Sequence, residues 1–336
     1  MDLATSYLGL ALKNPLVVAA SRLGWEIGNI RKMEDSGAAA VVLPSVFQEE
    51  VEGEIDEVDR LLTETGAEAT TYFPHTLAEI AGPESYLKLV ERARQAVDIP
   101  VIASLNGTSL SGWTDFSKRL AEAGASAIEL NVFFLPTDLS LSGRDVEQRH
   151  IDIVKAVKNS VSIPVAVKLS PYFSSTGHMV RALDEAGADG FVLFNRFYQP
   201  DIDLSDEHIA LARTLRLSHR SEIRLPLLWI GALAGHVRGS LCASTGVNTA
   251  QEVFKYLLVG ADVVSAASAL MRFGVTYVRS LLDGLVAELD AREFDSVAAA
   301  RGRLSRKAVG DPSAFDRANY IRILKAGQTT GDDYAD

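Results

Sequence analysis

The sequence has little of several features that define other classes of protein. Cys242 is the single cysteine among 336 residues, so no intramolecular disulfide can form and a reducing compartment fits. Positive charge is in deficit, and a net charge of −11 argues against nucleic-acid or acidic-lipid partners. No apolar run approaches the roughly 20 residues that span a bilayer, and the opening "MDLATSYLGLALKNP" does not resemble a signal peptide. We therefore expect a cytoplasmic protein with no nucleic-acid or membrane partner.

Several catalytic and metal-binding motifs are also missing. The six histidines have no i,i+4 pairing or cluster with metal-ligand spacing, so no metal site is expected. The sequence contains no G-x-S-x-G, P-loop or G-x-G-x-x-G motif. Cys242 falls inside a predicted buried strand, which is typical of a packing residue rather than a nucleophile.

A repeated pattern organises the chain. Small-Gly-Ala segments run into short apolar bursts at "SGAAAVVLPS", "AGASAIELN", "AGADGFVLFN" and "VGADVVSAA", and each follows a segment with helical periodicity. A second kind of strand opens after Ile-Pro, in "IPVIASLNG" and "IPVAVKLSP". The eight predicted strands cover about 14–21, 39–44, 100–106, 127–132, 164–169, 190–195, 239–245 and 262–266.

Strands that alternate with helices and are almost continuously apolar predict a parallel sheet covered on both faces. Eight such units favour an α/β fold of the TIM (β/α)8 barrel type. An open doubly wound sheet is the alternative, because periodicity does not report closure. We place the barrel at 1–290 and a helical, polar tail at 291–336, packed on the barrel or on a partner subunit.

Three segments interrupt the regular alternation. Pro226 and Gly235 favour a helix over 226–234 rather than a strand. Residues 196–225 then form a long connection, which we interpret as a hairpin inserted on the upper rim, and 46–84 form a similar insertion. Both follow strand C-terminal ends, where barrel active sites lie.

Polar residues stand at the C-terminal ends of the predicted strands: Ser21, Ser45, Asn106, Asn131, Lys168 and Asn195. Their convergence on one face indicates a site. Lys168 shares a strand face with Ala166, and a buried cation without a partner is very costly. Three interpretations stay open for it: an internal salt bridge to Glu129, a Schiff-base lysine, or a fixed cation for a cofactor.

Two turns near the chain's last predicted strands suit a phosphate. "STGVNTAQEV" joins a strand end to a helix start through a glycine turn, and "ASAL" offers a second small-residue turn with Ser268. Barrels often bind a phosphate at this position. A phosphate here, with a lysine across the mouth, fits flavin mononucleotide (FMN) or a sugar phosphate.

At this point the chain resembles the dihydroorotate dehydrogenase family, up to about residue 285. The resemblance is carried by "LGLALKNPLVVAAS", "IELNVFFLP", "IPVAVKLSPYF", "VLFNRF" and "TGVNTAQEVFKYLLVGADVVSAASAL". It implies an N-terminal hairpin that seals the barrel bottom, FMN in the mouth, a dihydropyrimidine-like substrate and a homodimer. The implied flavin-binding residues are Ala19, Ala20, Ser21, Ser45, Asn106, Asn131, Lys168, Ser218, Gly246, Ala267 and Ser268, with Asn195 on the substrate.

In the resemblance, Lys168 lies against the N1/C2-carbonyl edge of the flavin and Asn131 beside it, which makes them the catalytic candidates. The chain departs from the family where a cysteine or serine base is expected: the loop reads "NVFFLP", so the base position falls on Phe134. Phenylalanine cannot accept a proton. Thr137, Ser140, Ser142 and Tyr72 are the alternatives.

These observations predict an FMN-dependent oxidoreductase acting on a CH–CH bond next to a carbonyl, in pyrimidine metabolism. One alternative is an FMN-binding barrel that does not oxidise dihydroorotate and serves as an electron-transfer or regulatory partner. The other is a lysine-dependent aldolase or sugar-phosphate enzyme using Lys168. In the absence of a membrane helix, fumarate, NAD through a partner, or oxygen is expected as acceptor in preference to a membrane quinone.

Overall fold

Eight parallel strands close into a barrel. The computed structural model describes residues 1–47, 82–107, 113–204, 210–211, 216–315 and 317–326. The barrel strands are β3 (Leu16–Val18), β4 (Ala40–Phe47), β5 (Val101–Gly107), β6 (Ala127–Val132), β7 (Val165–Leu169), β8 (Gly190–Leu193), β11 (Ser240–Ala243) and β12 (Val263–Ala266). They follow one another around the ring in chain order, with β12 pairing back to β3. The barrel prediction is therefore confirmed, and the open sheet is wrong.

The two faces of each strand pack into two separate apolar clusters. On β7, Val165, Val167 and Leu169 lie in the outer cluster between sheet and helices, whereas Ala166 lies in the cluster inside the barrel. This alternation follows from the two-residue period of a strand. It confirms that Lys168, two residues after Ala166, points into the barrel.

A short hairpin seals the N-terminal end of the barrel, as the resemblance implied. Its strands are β1 (Thr5–Tyr7) and β2 (Leu10–Leu12), joined by Leu8 and Gly9, both at positive φ. Two left-handed residues form the type of turn that matches the twist of a hairpin. Tyr7, Leu8 and Leu12 are buried in the inner cluster, so the hairpin closes the barrel bottom with apolar side chains.

Helices cover the barrel. They are α1 (Ile27–Asp35), α2 (Pro83–Ala96), α3 (Trp113–Glu122), α4 (Gly143–Ser160), α5 (Thr176–Glu185), α6 (Arg224–Leu233), α7 (Ala250–Val259), α8 (Ser268–Phe273), α9 (Tyr277–Asp290), α10 (Val297–Ala300) and α11 (Arg317–Ala326). Gly260 ends α7 in the left-handed conformation, as the repeated pattern predicts. No helix within the described ranges is long and apolar enough to cross a membrane.

The seventh unit differs from its prediction in detail. Helix α6 begins at Arg224 rather than Pro226, after a 3-10 turn at Arg220–Ile223. Pro226 is thus the third helical residue, where its missing N–H still removes no helical hydrogen bond. The rim hairpin is present in short form, as β9 (Ile202–Asp203) antiparallel to β10 (Ala210–Leu211). Most of the predicted 46–84 insertion lies outside the described residues.

The chain after α9 covers part of the outer side of the barrel. The backbone N–H of Leu304 donates to the Leu258 carbonyl at 2.8 Å, and that of Arg306 donates to Gly231 at 2.9 Å. Helix α11 then forms where "FDRANYIRIL" predicts one, and none of its residues is buried. The division at 290 and the packing of the tail on a partner stay predictions.

Candidate active site

A cavity opens at the C-terminal ends of the barrel strands. Its volume is about 380 Å³, and most of its wall comes from the chain after β3, β8, β11 and β12. Of the predicted site residues, nine line it: Ala19, Ala20, Ser21, Lys168, Asn195, Ser218, Gly246, Ala267 and Ser268. Residues far apart in sequence therefore meet at one mouth, as expected for the C-terminal face of a barrel.

Three predicted residues do not line this cavity. The hydroxyls of Ser45 and Ser104 lie 2.8 Å apart, so Ser45 links β4 to β5. Asn106 and Asn131 are paired in register between β5 and β6. Residues 48–81 and 108–112, which follow β4 and β5 in the chain, are outside the described part.

Lys168 pairs with a buried carboxylate. Its Nζ lies 3.5 Å from Oε1 of Glu129, with side-chain exposures of 12% and 5%. Glu129 faces Ala166 in the β6–β7 register, one pair of inward residues below Asn131 and Lys168. The Lys168 ammonium therefore lies at the cavity wall, and the Glu129 carboxylate lies one layer deeper in the barrel. The internal salt bridge is observed, and it leaves the lysine on the cavity wall.

Asn131 does not line the cavity itself but is hydrogen-bonded to a residue that does. Its Oδ1 accepts a hydrogen bond from Nδ2 of Asn195 at 2.9 Å. This bond fixes the amide orientation of Asn195, which lines the cavity. The two asparagines therefore form one rigid unit between β6 and the end of β8.

The turn after β11 has an unusual backbone. Thr245 and Gly246 both have left-handed φ, +81° and +73°. The N–H groups of Gly246 and the following Val247 donate to no acceptor among the described residues. Both residues line the cavity, so their N–H groups are candidates to bind a ligand there. Such donors suit an anion.

Gly246 is required for that turn. A Cβ at this position would lie 2.6 Å from Ile223 Cγ2 and 3.0 Å from the Ile223 nitrogen. We expect Gly246→Ala to lower the free energy of unfolding by about 2 kcal/mol or more, because strain and overlap add. Gly9→Ala is the matched control, since Gly9 has φ +75° and nothing within 4 Å. Equal losses in denaturant unfolding would show that the contact with Ile223 is irrelevant.

The helix that follows this turn is capped by its own side chains, and the predicted phosphate site at its start stays a prediction. The side chain of Glu252 accepts from the Thr249 N–H at 2.7 Å and from its hydroxyl at 2.8 Å, a capping box at the N-terminus of α7. The Glu252 carboxylate therefore satisfies the N–H of Thr249 at this helix end, and its other oxygen lies 3.8 Å from Nε of Arg220. The candidate donors for a ligand lie in the preceding turn.

Ser21 and Ser218 complete the wall. The Ser21 hydroxyl is buried without a hydrogen-bond partner in the described structure, and Ser21 lines the cavity. An orphaned polar atom at a cavity wall fits a ligand that supplies its partner. Ser218 is linked to another part of the wall, because its N–H donates to Ser268 Oγ at 3.0 Å.

Aromatic packing dominates the loop after β6. The Phe134 ring lies against His150 and has the Arg149 guanidinium 4.4 Å from its centroid. Phe133 packs on Phe197, which packs on Tyr172. The position predicted for the base therefore holds a ring in contact with helix α4, and it does not line the cavity.

The alternative bases are hydrogen-bonded elsewhere, exposed, or outside the described residues. The Ser140 hydroxyl donates to Asp138, and the Ser142 hydroxyl donates to Asp145 as part of a capping box on α4. These bonds lower the pKa of both exposed carboxyls. Thr137 is exposed and Tyr72 is outside the described residues. None of the three described side chains lines the cavity.

His150 anchors this aromatic loop and should make stability depend on pH. Its Nδ1–H donates to the Val146 carbonyl at 2.8 Å, and burial lowers its pKa below 6.5. Below pH 6.5 the unfolded chain then takes up a proton that the folded chain does not, so the free energy of unfolding falls as the pH falls. Denaturant unfolding at pH 7.5 and 5.5 should show a smaller difference in His150→Gln. The exposed His178→Gln should behave as wild type.

Sequence reasoning missed several cavity residues: Arg22, Phe194, Arg196, Leu217, Ser244, Thr245, Val247, Ser265, Ala266 and Met271. Most are immediate neighbours of predicted ones, and Met271 lies one helical turn after Ser268. Arg196 pairs with Glu222 at 3.2 Å. Cys242, by contrast, is buried with its pKa raised to about 12 by burial, as suits a packing residue. No group of side chains in the described ranges is arranged to hold a metal ion.

Comparison with known proteins agrees with this geometry. The family model described as dihydroorotate dehydrogenase matches residues 2–289. The chain belongs to the dihydroorotate dehydrogenase family. Members that it resembles include a protein of Aeropyrum pernix assigned as dihydroorotate dehydrogenase A (fumarate), 29% identical over 88% of this chain and 95% of the relative. Another is the catalytic subunit of dihydroorotate dehydrogenase B (NAD(+)) of Thermoplasma acidophilum, 25% identical over 88% and 96%.

A third relative is dihydroorotate dehydrogenase A (fumarate) of Lactobacillus delbrueckii subsp. bulgaricus, 23% identical over 86% of this chain and 94% of the relative. The family match ends at residue 289, at the end of α9, so the tail lies outside it. The match includes every residue of the cavity wall.

Proposed function

We propose that this protein is an FMN-dependent oxidoreductase of the dihydroorotate dehydrogenase type, acting on a CH–CH bond next to a carbonyl in pyrimidine metabolism. The observation that carries the proposal is Lys168, an inward ammonium on the wall of a cavity at the C-terminal end of the barrel. The candidate donors of the 246–247 turn and the orphaned Ser21 hydroxyl suit a cofactor with a phosphate and a polar ring.

When bound, FMN supplies a hydride acceptor at N5 and collects negative charge along its N1–C2 carbonyl edge. Lys168 would stabilise that charge from the wall of the cavity. Gly246, Val247, Ala267 and Ser268 would hold the phosphate. The Asn131–Asn195 pair would orient a planar amide-bearing substrate. Asn195 would bind it through its Oδ1 and through the Nδ2 hydrogen that is not donated to Asn131.

A second candidate is a flavin-binding barrel that does not oxidise dihydroorotate and passes electrons to a partner. The packing of Phe134 against Arg149 and His150 favours it, because this position holds no proton acceptor. The aldolase alternative is less favoured. A Schiff-base lysine must be neutral to attack, whereas the Glu129 carboxylate 3.5 Å away attracts an ammonium.

One experiment separates these functions. The protein is purified, its absorbance spectrum is recorded, and the released cofactor is identified by mass. A flavin spectrum with the mass of FMN supports the first two functions, and its absence overturns both. Anaerobic addition of dihydroorotate or another dihydropyrimidine then distinguishes them, since only the first bleaches the flavin.

The partners of the reaction are also proposals. We infer a small dihydropyrimidine-like substrate and a homodimeric enzyme. The relatives are named for two different acceptors, fumarate and NAD(+). Stopped-flow reoxidation of the reduced protein by fumarate, NAD(+) and oxygen would identify the acceptor by its rate.

A further inference from the structure

Glu129 is a buried carboxylate that the proposed reaction does not use. It lies in the middle of β6 and is 4% exposed. It does not line the cavity, so it does not reach a bound ligand. Keeping a carboxylate inside a barrel is costly unless it is paired, which calls for a reason.

The surroundings of Glu129 contain few groups that carry charge. Tyr7 of the N-terminal hairpin and Cys242 of β11 are near enough for the charge of Glu129 to affect their pKa values. Burial raises the pKa of the Tyr7 phenol well above its usual value and that of the Cys242 thiol to about 12, so both are neutral near pH 7. In the part of the chain that the structure describes, Lys168 is the cation that Glu129 contacts.

The geometry of the pair places the two charges at different depths. Lys168 lies at the wall of the cavity, and Glu129 lies one inward layer below it. A ligand in the cavity therefore meets the ammonium first and the carboxylate behind it. A charge behind a charge of opposite sign reduces the field that both produce in front of them.

We propose that Glu129 is a positioning residue that holds the Lys168 ammonium and lowers the electron affinity of the bound flavin by offsetting its charge. The inference rests on the proposed function, in which Lys168 faces the flavin. With the Lys168 charge partly offset, the reduced flavin is stable enough to form. It is not so stable that it fails to pass its electrons to an acceptor. Without Glu129, the unopposed ammonium would hold the reduced, anionic form more tightly.

The test is Glu129→Gln in the flavin-loaded protein, titrated with sulfite. Sulfite adds to N5 of oxidised flavin through its sulfur lone pair, and the displaced electron pair becomes negative charge at the N1–C2 edge. We expect the dissociation constant for sulfite to fall about tenfold, since removing the carboxylate leaves an extra positive charge behind the site. The midpoint potential, measured by dye equilibration, should become more positive.

Two variants control the measurement. Glu129→Asp keeps the charge at a greater distance from Lys168, and its sulfite affinity should fall between wild type and Glu129→Gln. It also serves if the glutamine variant does not fold. Glu185→Gln removes one exposed negative charge from the barrel exterior and should leave sulfite binding unchanged.

The outcomes separate this inference from the function on which it rests. A protein that binds no flavin overturns the proposed function together with the inference. Flavin bound normally, with equal sulfite affinity in wild type and Glu129→Gln, overturns the inference alone. A lower thermal stability of Glu129→Gln with unchanged sulfite affinity would make Glu129 a purely structural partner of Lys168, which also contradicts it.

Discussion

Lys168→Met should purify with much less flavin, and the flavin it holds should be reduced about 10²- to 10³-fold more slowly, as when one preorganised electrostatic group is removed. In the proposed complex, the Lys168 ammonium faces the edge where the flavin gathers negative charge, and methionine offers no charge there. The variant also leaves the Glu129 carboxylate buried without its cation. Flavin content per protein and anaerobic stopped-flow reduction by the substrate or by dithionite measure the two effects.

A double variant separates the loss of catalysis from a loss of folding. Lys168→Met alone should lower the free energy of unfolding by about 3–5 kcal/mol, the usual cost of breaking a buried pair on one side. Lys168→Met combined with Glu129→Gln removes both charges and should recover much of that stability. Flavin reduction should stay slow in the double variant. Unchanged flavin content and reduction kinetics in Lys168→Met would contradict its assigned role.

The barrel could be predicted because its signals are local and repeated. A glycine at each helix end followed by an apolar burst defines a unit, and such units alternate with helical segments. Lys168 could be placed inside the barrel from strand alternation alone, and Glu129 could be named as its partner because the two strands are neighbours. Choosing among the three interpretations of Lys168 required knowing how deep Lys168 and Glu129 each lie in the barrel. A sequence pattern does not give that depth.

The turn at 245–247 shows a different limit. The sequence "TAQE" at 249–252 has the spacing of a capping box, so the capped N-terminus of α7 could have been predicted from it. The left-handed conformation of Thr245 could not, because threonine rarely adopts it and local preference argues against it. The hydroxyl of Thr245 donates to the Phe194 carbonyl at 3.0 Å, and the Tyr256 hydroxyl donates to the carbonyl of Thr245 at 2.8 Å. Tertiary contacts thus fix this turn.

Phe134→Cys should bleach its flavin with dihydroorotate faster than the wild-type protein does. Oxidation of dihydroorotate removes a proton from C5 while a hydride leaves C6, and phenylalanine cannot accept the proton. Replacing the ring also releases the loop from its contacts with Arg149 and His150, which should cost only about 1 kcal/mol at this half-buried position. Anaerobic absorbance after mixing with dihydroorotate, with and without the substitution, measures the gain.

Phe134→Ala shows whether a faster reaction in Phe134→Cys comes from the thiol acting as a base or from the space left by the ring. It removes the same ring contacts and offers no thiol, so water alone would have to take the proton. The cysteine variant should bleach about 10²-fold faster than the alanine variant, the usual contribution of a positioned base. Its rate should rise between pH 7 and pH 9, because the thiolate is the acceptor and an unperturbed thiol has a pKa of about 8.5. Equal rates in the two variants, or no bleaching in either, would show that dihydroorotate fails here for a reason other than the missing base.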